Sequence, residues 1–201
     1  MIVMQYANNG SILSYLDQNI NKLTWIKKLE HVRDIVHCLF NIHGAGLVHC
    51  DLHGGNIVMH NNAYNDKMES YICDLGLSQS VHSHQQNPTI QSVLPFTAPE
   101  VFRTRKFTQK SDIYSFGIIM YLIATGKPPF RDRLFDRSLI CDIMAGLRPT
   151  MPDSAPSEWK KLAEQCCDAD PDKRPDALIL LRDIRKLCED ESDNNAWNTI
   201  Y

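Results

Sequence analysis

Apolar residues run from Met1 to Tyr6, and Ala7-Asn-Asn-Gly10 then breaks the run, which predicts a short strand closed by a turn. Ser11 to Gln18 is short and mixed, and reads as a brief helix with Asn9 or Ser11 at its cap. From Thr24 the period changes. Ile26, Leu29, Val32 or Arg33, Val36 and Leu39 or Phe40 recur at three- and four-residue spacing, predicting a long amphipathic helix that Thr24 caps and that Gly44 and Gly46 end. Leu47-Val48 is a two-residue apolar step. Ile57-Val58-Met59 and Tyr71-Ile-Cys73 read as two short strands, a hairpin joined through an Asn-rich turn. Leu77 to Val93 has no period and is rich in Ser, His and Gln, which predicts a mobile loop. After Ala98 the pattern is helical throughout: Pro99 to Arg103, Ser111 to Thr125, Asp136 to Ala145, Ser157 to Cys167 and Pro175 to Glu189. The Gly126-Lys-Pro-Pro129 and Pro149 to Pro156 stretches punctuate these helices. The segment 190–201 is polar and acidic apart from Trp197, and is expected to be a disordered tail. The pattern therefore gives a mainly α fold with a few short β-strands, and no repeat or linker divides it.

Two hundred and one residues are enough for one domain with a sizeable core. Charged residues make up 22% of the chain, the net charge is −3, and the basic residues never gather into a stripe, which argues against a nucleic-acid partner. The seven cysteines are an odd number without a Cys-x-x-Cys pair, so they read as reduced thiols of an intracellular protein rather than as disulfides or a zinc site. The longest apolar stretch, Ile113 to Ala124, falls short of the ~20 residues that a membrane span needs. The expected location is cytoplasmic or nuclear, with no membrane partner. His31, His37, His43 and His49 recur every six residues, a step that turns ~240° on a helix, so they share no face and do not form a metal site.

Three segments carry chemistry. They are His49-Cys-Asp-Leu-His-Gly-Gly-Asn56, then Asp74-Leu-Gly76 after a short strand, then Ala98-Pro-Glu100 followed by Ser111-Asp112-Ile-Tyr-Ser-Phe-Gly117 and Arg174-Pro175. A lone Asp in a loop is usually a turn former, and Asp-Leu-Gly after a strand is equally ordinary. In this order and spacing, however, the segments resemble the signature set of eukaryotic protein kinases, nearest the tyrosine-kinase-like serine/threonine group, over residues 1–189. That resemblance implies an α+β kinase large lobe preceded by the strand that links the two lobes.

It also implies ATP-dependent phosphoryl transfer to a Ser/Thr hydroxyl of a protein substrate, with ATP and Mg2+ as cofactors. Asp51 would be the catalytic residue that orients the hydroxyl. Asn56 and Asp74 would be the magnesium ligands. Val58 would be the floor of the adenine site and Met4 its back, with the backbone of Gln5 and Ala7 along the adenine edge and Ser11 near the ribose. Glu100 would pair with Arg174, Asp112 would hold the catalytic loop from beneath, and His49 and Leu75 would pack above it. Departures from the pattern are Cys50, where an arginine usually grips a loop phosphate, and His53, where a lysine usually contacts the γ-phosphate. The 201 residues contain no Gly-rich phosphate loop and no strand lysine. The sequence is thus expected to be a kinase fragment lacking the small lobe, weakly active or inactive unless a protein partner completes it. The other readings are a non-catalytic scaffold built on the kinase fold, and a small-molecule kinase, which Ala98-Pro-Glu100 and the Asp112 helix disfavour.

Overall fold

The computed structural model describes residues 7–63, 67–81 and 91–190. The strand expected over Met1 to Tyr6 and the tail 191–201 lie outside them. Seven α-helices occur among the described residues: α1 (Ile12–Asn19), α2 (Trp25–Gly44), α3 (Pro99–Thr104), α4 (Gln109–Thr125), α5 (Arg137–Met144), α6 (Ser157–Cys166) and α7 (Ala177–Asp190). Four short strands accompany them: β1 (Leu47–Val48), β2 (Ile57–Asn62), β3 (Lys67–Ile72) and β4 (Gln79–Ser80). The mainly α expectation holds.

α4 organises the molecule. Thr108 caps it by accepting from Ser111 N, while the Ser111 hydroxyl accepts from Thr108 N, so two donors that the first turn would leave unpaired are satisfied reciprocally. From Ser111 to Met120 every residue of α4 is buried, as a helix surrounded on all sides must be. Gly126 ends it in the left-handed region (φ 67°), and a Cβ there would lie 2.7 Å from the Ile20 side chain. Around α4, the inward faces of α2, α6 and α7 close the main core. Trp25 of α2 meets Trp159 of α6 edge to face at 5.4 Å.

α2 also buries a lysine. Lys28 is 1% exposed, donates to the Ala124 carbonyl at 3.0 Å near the end of α4, and lies 4.3 Å from the Trp25 ring centre. An ammonium suits this place, because helix ends carry unpaired carbonyls and partial negative charge. Burial nevertheless lowers its pKa to about 8.

β2 and β3 form the predicted hairpin, with Ile57 opposite Ile72 and Asn62 opposite Lys67. Beneath it, buried His31 of α2 lies 3.0 Å from the Ser70 hydroxyl of β3. Of the loop expected over Leu77 to Val93, residues 82–90 lie outside the described residues, while its start is paired. Gln79 and Ser80 pair with Val48 and Leu47, and Val81 N donates to the Gly46 carbonyl. Residues Gln91–Phe96 then form a 3-10 turn around Pro95. The buried pair of Glu100 and Arg174 is bidentate, at 2.7 and 2.8 Å, with the arginine side chain fully enclosed and also donating to the carbonyls of Asp168 and Lys110.

Candidate active site

The loop between β1 and β2 is built from below. Asp112, buried near the start of α4, accepts from the backbone N–H of His49 at 2.8 Å and of Cys50 at 3.1 Å. Its Oδ2 also meets His43 Nε2 at 3.0 Å, from the last turn of α2. Three donors from two distant segments therefore converge on one carboxylate, and truncating it would leave all of them buried and unpaired. Cys50 sits in the left-handed region at φ 70°, a conformation unfavourable for a residue with a side chain and held here by these bonds. Its thiol lies under the loop, within 3.5 Å of the Val48 carbonyl, and burial together with the charges of Asp112 and Asp51 pushes its pKa to about 12. It is a poor nucleophile.

His49, fully buried, ties the loop to the segment that follows β3. Asp51 N–H donates to its Nδ1 at 3.3 Å, so the ring proton lies on Nε2, which donates to the Cys73 carbonyl at 3.1 Å. Cys73 N in turn donates to the Asn56 carbonyl at 2.9 Å. The residue before Asp74 is thus held on both sides by the loop, and Asp74 follows in the left-handed region (φ 60°, ψ 70°), exposed, with Oδ1 accepting from Gly76 N. Leu75, expected to pack with His49 above Asp112 and the loop, is 50% exposed. It follows a backbone turned outward at Asp74.

Asp51 and Asn56 are joined directly. Asn56 Nδ2 donates to the Asp51 carbonyl at 2.9 Å and to Asp51 Oδ2 at 3.1 Å. With both amide hydrogens engaged, Oδ1 is the atom of Asn56 left to face a cation. Burial alone would raise the Asp51 pKa, but the neighbouring His53 ring and the Asn56 amide hold it below the usual carboxylate value. Asp51 is therefore an ionised acceptor at neutral pH.

The candidate nucleotide residues are brought together in part. Asn9 N donates to the Met59 carbonyl, Met59 N donates to the Gly10 carbonyl, and Ser11 bridges Val58, so the segment from Ala7 to Ser11 lies along half-buried Val58. The Ser11 hydroxyl is the cap of α1, accepting from Ser14 N at 3.4 Å. Met4 and Gln5 lie outside the described residues. The sequence reading missed two supports of this site, the His43 contact to Asp112 and the packing of His53 on Gly55; the only signal for the first was a histidine whose helical step left it without a patterned partner, and for the second a histidine standing where a lysine is usual.

Residues 1–184 match the family described as protein tyrosine and serine/threonine kinase. The chain belongs to the protein kinase family. A Dictyostelium discoideum relative named as a serine/threonine-protein kinase is 31% identical over 180 residues, covering 87% of this chain and 13% of the relative. A relative from Girardia tigrina named as a tyrosine-protein kinase is 29% identical over 208 residues, covering 98% of this chain and 41% of the relative. The kinase chain thus spans less than half the length of the curated relatives it matches. No helix among its described residues is long and apolar enough to cross a membrane.

Proposed function

We propose that this kinase domain catalyses ATP-dependent phosphoryl transfer to Ser/Thr hydroxyls of a protein substrate. The observation that carries the reading is the joined pair of Asp51 and Asn56, with Cys73 bringing Asp74 to the same loop. Asp51 accepts the hydrogen bond of the incoming hydroxyl and turns its lone pair toward the γ-phosphorus. The new oxygen–phosphorus bond forms as the bridging oxygen–phosphorus bond breaks, ADP departs, and the hydroxyl proton leaves toward Asp51.

Asn56 Oδ1 and the Asp74 carboxylate would hold Mg2+. They are few, hard oxygen donors, as suits an ion whose shell is completed by phosphate oxygens and water, and the described residues offer no cluster of three or more acidic, His or Cys side chains that would suit a different metal. When bound, magnesium neutralises charge on the phosphates. Val58 would support one face of adenine, with the backbone of Gln5 and Ala7 along its edge, Met4 behind and Ser11 beside the ribose.

The test is a radiometric assay of the protein, alone and completed with a kinase small lobe, with Mg-ATP and mixed Ser, Thr and Tyr peptides, followed by phosphoamino-acid analysis. Phosphoserine or phosphothreonine is expected from the completed form, and Asp51→Asn should lower its turnover by about a hundredfold or more, since an amide cannot accept the proton. Rates within about tenfold of the parent would sink the assignment of Asp51. ATP binding with no turnover would leave the fold serving as a scaffold.

A further inference from the structure

We propose that His53 is a positioning residue for Asp51, a neutral ring whose Nε2–H is aimed at the Asp51 carboxylate by its seat on Gly55. The inference rests on the phosphoryl-transfer reading above. It differs from what the position suggested in sequence, where the residue replaces a lysine that would offer positive charge to the γ-phosphate.

The geometry determines the tautomer. Gly55 N–H donates to His53 Nδ1 at 3.0 Å. A backbone N–H can only donate, so Nδ1 contributes its lone pair and the ring proton lies on Nε2. That nitrogen is 3.7 Å from Asp51 Oδ2, an electrostatic contact slightly longer than a hydrogen bond. The same oxygen receives Asn56 Nδ2 at 3.1 Å. One oxygen of Asp51 is thus bounded by two N–H groups, which leaves Oδ1 for the substrate hydroxyl.

Gly55 makes this seat possible. A Cβ on residue 55 would stand 2.7 Å from His53 Cε1 and 2.9 Å from Nδ1, so any side chain there would push the ring away. The Phe96 ring stands 6.2 Å off and tilted by 53°, on the segment leading into α3. His53 is only 23% exposed at its side chain, so the ring is held between the Gly55 turn and the Asp51 carboxylate. Burial raises the Asp51 pKa, and the His53 ring is first among the neighbours that bring it back below the usual carboxylate value, as its closeness to the carboxylate requires.

Two measurements test this on the whole protein. In 15N-histidine-labelled protein at neutral pH, long-range nitrogen–proton spectra should show the His53 ring as the Nε2–H tautomer, and Gly55→Ala should abolish that signature while His49 keeps its own. In steady-state assays, His53→Ala and Gly55→Ala should each lower kcat by on the order of tenfold to a hundredfold with KM for ATP within about twofold of the parent. His53→Gln, whose amide N–H can still reach Asp51, should recover part of the loss. An Nδ1–H tautomer or a doubly protonated ring in the parent protein overturns the proposal, as does a rise in KM for ATP with kcat unchanged, which would mark a phosphate ligand. A parent protein that shows no turnover even when completed with a kinase small lobe would instead overturn the functional reading, and the ring spectrum would still decide the seat of His53.

Discussion

Acid should unfold this protein through a single histidine more than through its surface. His31 of α2 is 3% exposed, lies against the edge of Tyr15 at 5.5 Å, and has Nδ1 3.0 Å from the Ser70 hydroxyl. Burial lowers its pKa from 6.5 to about 4; the charges of Lys27, Lys67 and Arg33 act in the same direction and Glu30 opposes them. The folded value thus lies below the unfolded one. Between them the unfolded chain binds more protons, so stability is complete above about pH 6.5 and is lost as pH falls toward 4. At ~1.4 kcal/mol for each pH unit of that interval, the loss is about 3 kcal/mol, a large part of the ~5–15 kcal/mol available to a domain. The assay is urea unfolding followed by the fluorescence of the Trp25 and Trp159 pair at several pH values, for the parent and for His31→Gln. The variant keeps a polar group for Ser70 and removes the titration, so its stability should depend less on pH by about 3 kcal/mol over the interval, and carboxylate contributions cancel in the difference. Equal pH dependence in the two proteins, or a His31 resonance that titrates near 6.5, would refute the reasoning.

Three further outcomes are expected. Glu100→Gln should destabilise the fold by roughly 3–5 kcal/mol, because the enclosed Arg174 guanidinium would lose the carboxylate charge that meets it bidentately; a loss below about 1 kcal/mol in chemical denaturation would show that the Asp168 and Lys110 carbonyls suffice. Lys28 has a folded pKa of about 8 against 10.5 unfolded, so stability should rise as pH climbs through that window, and Lys28→Met should flatten the rise; a parallel curve would refute it. Gly117→Ala should cost about 1–3 kcal/mol in thermal unfolding, because the added Cβ would stand 2.5 Å from Cys167 Sγ and 3.3 Å from the Ala163 carbonyl; an unchanged midpoint would show that α6 shifts freely.

Signals that act within one turn of chain were legible in the sequence, and those that act across it were not. Thr24 could be read as the cap of α2 because a cap bonds to an amide three residues on, and Thr24 Oγ1 does accept from Lys27 N. β4 could not be read, since its two polar residues are ordered by backbone bonds to Leu47 and Val48, and backbone pairing leaves no mark on side-chain pattern. Lys28 was hidden for the same reason: its acceptor, Ala124, is 96 residues away. The candidate site divides along this line. Asp51, Asn56 and Asp74 could be singled out as candidates because the proposed chemistry dictates their types and their order. What holds them was partly out of reach. Asp112 was foreseen beneath the loop, but the contribution of His43 to the same carboxylate was not, because an imidazole at a helix end looks the same in sequence whether it faces water or a buried acid. His53 poses the converse case. Its identity was visible and suggested a substitute for a cation, yet the amide of Gly55 two residues on fixes its proton and so denies it that role. A residue type therefore limits the chemistry a side chain can perform, while the backbone group that occupies its other atom decides which of those chemistries remains.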